Sequence, residues 1–331
     1  MPRTHPLFRV SPDDPAYQRA AAAEAAFWGT PHPFGLEGDE LAGPPVFGPS
    51  ERHSNARYTG DPEVPWHDAI ARSGPFHRAL VLGTSALGME ARLVETNPGA
   101  HFTFLDISPG ALARRAEHLG ARFPGRVDTR VGDLNFVDLE PSCYDLIVSS
   151  GSVHHVTNLE YLGAALNAAL TPGGYFFLQD YVGEPRFQFA AVKRRVFEII
   201  HDREIAREGN RQPGVRWLDT SDLSPFCGVR SDEVLPVLRS ALTEVAVRTA
   251  GTLLVPMMRS RPLDEGRTIS LPWHRLAWAL LKRRLPWLLG ALPRRFELAD
   301  TLWYELILAG DVLADAGLLQ PSTAFAIYRR R

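Results

Sequence analysis

The chain has 331 residues, 45% of them hydrophobic, and a formal net charge of −2. That length supports one large α/β unit with insertions or two smaller units, and so balanced a charge supplies no basic field to recruit nucleic acid. Two cysteines, Cys143 and Cys227, make neither a disulfide framework nor a spaced metal-ligand pattern, and no run reaches the roughly 18 apolar residues of a membrane span. Met1 to Val10 is too polar and too proline-broken for a signal peptide, so a cytoplasmic protein is expected.

In chain order, Pro15 to Trp28 is an alanine-rich helical segment. Residues 30–65 are rich in Pro and Gly and are predicted to be a long loop, with Arg57 to Asp61 placed to reach over a bound ligand. Residues 1–65 therefore form an N-terminal helix and loop ahead of a core over 66–183. A helix from Trp66 to Ser73 leads into the apolar strand Ala79 to Leu82 and the small-residue turn Gly83-Thr84-Ser85. A second strand, His101 to Phe104 with Leu105, ends in Asp106, about 20 residues on from the turn. Ser108 suits an N-cap, Pro109 a first turn and Gly120 a helix stop.

Val127 to Val131 is a third strand, followed by Gly132-Asp133-Leu134; Tyr144 to Ser150 is a fourth, followed by Val153-His154-His155. Asn158 to Leu170 is helical and is stopped by Thr171-Pro172-Gly173-Gly174, and Tyr175 to Leu178 is a fifth strand ending in Gln179-Asp180. Strands alternating with helices predict βαβ units and a parallel sheet, with ligands beyond the carboxyl ends of the strands. Gly83, Asp106, Asp133, Ser149, Ser150, Gln179 and Asp180 all fall at those ends. A turn of small residues lets backbone N–H groups approach a nucleotide-like ligand, and a carboxylate one strand over accepts from its ribose.

In Leu170-Thr171-Pro172-Gly173-Gly174-Tyr175, Val153-His154-His155-Val156 and Gly132-Asp133-Leu134, taken in order, the chain resembles class I S-adenosylmethionine-dependent methyltransferases, and the ubiquinone/menaquinone-type branch in particular. The resemblance covers roughly Ala79 to Asp180. It implies a Rossmann-like fold with a mostly parallel seven-stranded sheet, helices on both faces and a helical insertion, and S-adenosylmethionine as cofactor. It also implies that Gly83, Thr84 and Ser85 pass under the methionine part of the cofactor and that Asp106 accepts from the ribose hydroxyls. Ile107 would lie against adenine, Asp133 would accept from its amino group, Leu134 would donate a backbone N–H, and Ser149 and Ser150 would line the sulfonium side. The chain departs from the family where G-x-G-x-G is usual: Ser85 and Leu87 stand at the second and third glycines, which is unfavourable if either position needs a positive φ. Gly83, Ser85 and Gly88 also fit a degraded dinucleotide fingerprint, although no hydride-transfer site follows.

Residues 184–242 form a helical insertion over the acceptor pocket, with helices at Arg186 to Ile205 and Ser231 to Leu242, the latter capped by Ser231. Residues 243–331 supply strand six (Glu244 to Arg248), a second helical insertion and a C-terminal strand (Thr323 to Tyr328). Within that insertion Leu271 to Phe296 carries three tryptophans among arginines, which suits an anionic membrane surface, a lid or a homodimer contact.

The expected partner is a small-molecule acceptor of natural-product or glycan type. His154 and His155, after strand four, are the candidate bases for it. Tyr181, Arg186, Phe187 and the turn Phe226-Cys227-Gly228-Val229-Arg230 are the candidate liners, Arg186 and Arg230 as holders of a carboxylate or phosphate. No metal site is expected, because adjacent histidines face different ways and no third ligand at helical spacing is evident. The other open readings are the same fold used for non-methylating chemistry such as cyclisation, and a cofactor-free binding or scaffold protein.

Overall fold

The computed structural model describes residues 4–30, 49–85, 87–207, 214–217, 224–262 and 301–331. Five parallel strands form the centre: β1 (Arg78–Leu82), β2 (His101–Asp106), β3 (Val127–Val131), β4 (Tyr144–Ser150) and β5 (Leu170–Tyr181). After a short pair β6 (Val215–Trp217) and β8 (Ser260–Pro262), the sheet is completed by β7 (Thr243–Ala250) and β9 (Thr323–Arg329). The order is β3-β2-β1-β4-β5-β9-β7, with β9 antiparallel to both of its neighbours. The seven-stranded, mostly parallel sheet expected from the sequence is therefore present.

Among the described residues the helices are α1 (Pro15–Gly29), α2 (Pro49–Thr59), α3 (Trp66–Ile70), α4 (Leu87–Thr96), α5 (Pro109–Arg122), α6 (Leu159–Ala169), α7 (Ala191–Arg207), α8 (Val234–Ala241), α9 (Leu254–Met258) and α10 (Thr301–Asp315). Strand alternation decides which core each side chain joins. Leu80, Leu82, Ile147, Phe176 and Leu178 pack with α6 and α8 on one face. Ala79, Val81, Leu146, Val148 and Phe177 pack with residues of α2, α3, α4 and α5 on the other. Because α4 and α5 run to one side of β1 and β4 lies on its other side, the strand order reverses between β1 and β4. A crevice opens there at the carboxyl ends.

Some expectations are corrected. The 30–65 stretch is not all loop: α2 lies within it, and its proline- and glycine-rich composition masked eleven helical residues. Arg57 and Tyr58 do not reach over the crevice. Arg57 donates to Asp315 and to the Thr249 carbonyl, and buried Tyr58 bonds the Thr323 hydroxyl at 2.6 Å. Ser231 does not cap α8; its hydroxyl donates to the Gly183 carbonyl at 2.9 Å, and a short 3-10 turn precedes the helix. Helix α5 runs through Gly120 to Arg122. The tryptophan-bearing stretch 271–296 lies outside the described residues. Among those described, no helix is long and apolar enough to cross a membrane.

The insertion helix α7 is anchored by a fully buried lysine. Lys193 Nζ donates to Glu184 at 2.7 Å and to the Ser322 hydroxyl at 3.3 Å, joining α7 to the segments flanking β5 and β9. Burial lowers the lysine pKa and Glu184 counters it. Lys193→Ala would leave the Glu184 carboxylate buried and unpaired, and is expected to cost about 3–5 kcal/mol in urea unfolding. Lys193→Met combined with Glu184→Gln should recover most of that loss, because the uncompensated charge is then gone.

Candidate functional site

The crevice at the strand reversal is a cleft that opens to solvent. Gly83, Thr84, Asp106, Ile107, Asp133, Leu134 and Asn135 form its floor, and Gly151, Ser152, His155 and Val156 form a wall. Glu24 and Trp28 of α1 and Phe226 close it from the opposite side.

The turn after β1 is built around Gly83, whose N–H donates to the Leu105 carbonyl at 2.7 Å and whose φ is +74°. A Cβ there would come within 2.0 Å of Ser152 Oγ, so glycine is needed for space as well as conformation. Ser85 and Leu87 are not among the residues with positive φ. The missing glycines therefore introduce no left-handed strain, and Leu87 is the first, buried residue of α4. A buried ion pair holds the turn instead: Glu90 accepts the Ser85 N–H at 2.6 Å, and Arg115 donates to Glu90 at 2.8 Å and to the Ser85 carbonyl. Burial lifts the Glu90 carboxyl to about 7 against the pull of Arg115.

At the end of β2, Asp106 accepts from Ser108 N–H at 2.7 Å through Oδ1 and from the Thr84 N–H and hydroxyl through Oδ2. Burial raises its pKa, and those donors oppose the shift. Asp133, after β3, accepts from Asn135 and, at 2.6 Å, from the Tyr17 hydroxyl of α1. Asn135 Oδ1 in turn accepts from the Thr157 and Asn158 N–H groups, tying the β3 loop to the β4 loop.

Of the two serines ending β4, Ser149 is fully buried and donates to the Leu82 carbonyl, so its hydroxyl belongs to the sheet. Ser150 bonds Gln179 at 3.1 Å and accepts from Ser85 at 3.3 Å, on the rim of the turn.

The two histidines differ in placement. His155 lines the cleft and its Nδ1 meets Glu24 at 2.7 Å. His154 is buried behind it, with Nδ1 2.5 Å from Asp180 and Nε2 3.7 Å from Cys227 Sγ. Burial disfavours the His154 imidazolium, but Asp180 outweighs it and lifts the pKa to about 10. Burial likewise disfavours the Cys227 thiolate, and the two histidines outweigh it, lowering the thiol to about 6.

The rings do not diverge as the sequence suggested. Their centroids are 4.2 Å apart, and a nitrogen of each lies with Cys227 Sγ in a group whose members are all within 4.8 Å. Successive residues of their 3-10 turn point about 120° apart, yet each ring is turned by the carboxylate on its Nδ1. One carboxylate comes from β5 and the other from α1, so neither was visible from local spacing.

The expected acceptor-side residues separate. Tyr181 is buried, donates to the Glu184 carbonyl and stacks on Phe187 at 4.3 Å. Arg186 has a φ of +53° and donates to the Cys227 carbonyl at 3.4 Å. Arg230 is not an anion holder: Glu160, Glu233 and the Thr157 carbonyl take up its guanidinium. Asn135, Gly151, Ser152 and Val156 line the cleft without having been singled out as site residues, and Tyr17, Glu24 and Trp28 of α1 were missed as well. Their spacing of seven and four places them on one helix face, and that polar and aromatic stripe in an alanine-rich helix was the available signal.

Residues 80–176 match the family model described as a methyltransferase domain. Over these residues the chain is similar to a methyltransferase domain. The chain is 25% identical over 162 residues to phosphoethanolamine N-methyltransferase 2 of Caenorhabditis elegans, a match covering 48% of this chain and 34% of the relative. It is 32% identical over 125 residues to ribosomal RNA large subunit methyltransferase G of Streptomyces griseus, covering 36% and 31%. The chain thus spans about a third of the length of these curated relatives. Among solved structures it is similar to a geranyl diphosphate C-methyltransferase from Streptomyces coelicolor, with 16% identity, coverage of 97% and 100%, and a TM-score of 0.47.

The residues of the cleft fit an adenosine-bearing group. Gly83, which has no side chain, lies under the cleft, a buried carboxylate ends β2 beside it, and Ile107, Leu134 and Val156 supply apolar surface. Gly83→Ala should destabilise the fold by roughly 1–3 kcal/mol through positive-φ strain and the Ser152 clash. Ser152→Gly in that background should restore the steric share, measured as a rise in the thermal midpoint.

Proposed function

We propose that the protein is an S-adenosylmethionine-dependent methyltransferase acting on a small-molecule acceptor. The observation that carries this reading is the cleft itself, floored by Gly83, Asp106 and Asp133 and closed from the far side by α1 and Phe226. A cleft so covered suits a small acceptor better than a folded polymer. The absence of positive φ at Ser85 and Leu87 removes the reason to favour a fold that has lost its cofactor.

S-adenosylmethionine, when bound, supplies an electrophilic methyl group on a sulfonium, so the protein's part is positioning, exclusion of water and management of a proton. Asp106 would accept the ribose hydroxyls, with the Thr84 hydroxyl on its Oδ2 as the donor that gives way. Asp133 and Asn135 would hold the adenine edge, with Ile107 and Leu134 against its ring. Trp28, Val156 and Phe226 keep water from the acceptor side. His155 rather than His154 touches the acceptor, since only His155 lines the cleft, and Tyr181, Arg186 and Phe187 stand outside that lining as support for the 226–230 turn.

Asp106→Ala should weaken S-adenosylhomocysteine binding about 10- to 100-fold by calorimetry, the share of one charge-assisted acceptor. Because burial raises the Asp106 pKa, wild-type affinity should fall on acidification above the ordinary aspartate range, as the acceptor carboxylate takes up its proton. Unchanged affinity in the variant would place the ribose elsewhere.

His155→Ala should reduce S-adenosylhomocysteine release about 10²- to 10⁴-fold in an acceptor screen of small amines, thiols and hydroxyl compounds. Cofactor affinity should stay close to wild type. Equal turnover in wild type and variant would remove His155 from the reaction.

A further inference from the structure

We propose that His154, His155 and Cys227 form a zinc site with three protein ligands and one open position. The donors are in place. His154 Nε2 is 3.7 Å from Cys227 Sγ, close to the roughly 3.6 Å separating nitrogen and sulfur ligands across a tetrahedral zinc with Zn–N near 2.0–2.1 Å and Zn–S near 2.3 Å. A nitrogen of each histidine and Cys227 Sγ all lie within 4.8 Å of one another.

The surroundings are those of a metal site. A histidine ligand normally donates its other N–H to a carboxylate, which fixes the tautomer and aims the free lone pair. Both histidines have this arrangement, Nδ1 of His154 on Asp180 and Nδ1 of His155 on Glu24, which leaves each Nε2 as the donor atom. The carboxylates are themselves buried and held. Asp180 accepts the Val153 and Tyr181 N–H groups, and Glu24 accepts Trp28 Nε1, the Ser224 hydroxyl and the Phe226 N–H. Two imidazoles and a thiolate suit zinc and exclude magnesium or calcium, which take oxygen ligands.

The four elements involved are far apart in sequence: the β4 turn, β5, α1 and the 224–230 turn. A chance surface cluster would not draw two separate carboxylates behind two adjacent rings. The site adjoins the acceptor end of the cleft, since His155, Glu24 and Phe226 all line it. With zinc bound, both His155 nitrogens are engaged and it would act on the acceptor only through the metal, by helping to hold the acceptor's nucleophilic atom; that use rests on the function proposed above, whereas zinc occupancy does not.

The test is made on the full chain. The protein, stripped with a chelator and refilled with one equivalent of cobalt(II), should show a thiolate-to-cobalt charge-transfer band in the near ultraviolet and intense visible bands of tetrahedral type. Zinc should displace the cobalt at one ion per chain. Cys227→Ser should abolish the charge-transfer band with the circular dichroism spectrum unchanged. His154→Ala and His155→Ala should each weaken zinc binding at least about 100-fold, and Asp180→Asn about 10- to 100-fold, the usual effect of losing an outer-shell partner. A wild type without the charge-transfer band, or zinc affinity undiminished in Cys227→Ser and His155→Ala, would overturn the proposal. S-adenosylhomocysteine binding, measured in parallel, reports separately on the methyltransferase reading.

Discussion

A carboxylate cannot be withdrawn from water without donors to replace it, and this constraint, met at Glu24, shapes the whole cleft. Its two oxygens collect Trp28 Nε1 from the same helix, the Ser224 hydroxyl, the Phe226 N–H and the Nδ1 of His155. Burial alone would raise its pKa, yet His155 and the other donors hold it below the usual glutamate value. One side chain thereby fixes the N-terminal helix, the 224–230 turn and a histidine ring against each other. Without it the cleft would be an open groove on the edge of a parallel sheet.

The central fold was legible because its signals are local. Apolar runs bounded by small or acidic residues predicted β1 to β5, and the polar residues at their ends predicted the crevice. Helix α2 was not legible, since its sequence has no apolar stripe. It is held by contacts made elsewhere, such as Arg57 on Asp315 and Tyr58 on Thr323. The turn after β1 shows the opposite case. Its departure from the glycine pattern was visible, but the remedy, a buried Glu90–Arg115 pair reaching across from α4 and α5, joins residues 25 apart in sequence.

The site divides along the same line. Gly83, Asp106, Ile107, Asp133 and Leu134 follow strands directly, so their position in the cleft was implied by strand order. Ser149 was misjudged because adjacent strand residues face opposite sides, and its hydroxyl turns inward to Leu82. Arg230 was misjudged because an arginine's partners cannot be read from its own segment, and Glu160 lies 70 residues away. Most of all, the ring directions of His154 and His155 depend on Asp180 and Glu24, which no spacing rule connects to them.

The sequence distances at Glu24 bear on how the molecule is made. Its partners lie 131 residues downstream at His155 and 200 and 202 residues downstream at Ser224 and Phe226. Helix α1 has nearer partners too, Asp133 on Tyr17 and Arg114 on the Trp28 and Gly29 carbonyls, well before the 224–226 turn is reached. Long-range pairings of this kind form late, after the loop between them has been closed by other contacts. The sheet from β1 to β5 can assemble with its crevice uncovered, and the roof is set only when residues 224–226 have been synthesised. The contacts that seat Phe226 beside the cleft thus join a late-synthesised turn to a floor whose strands all precede it in the chain.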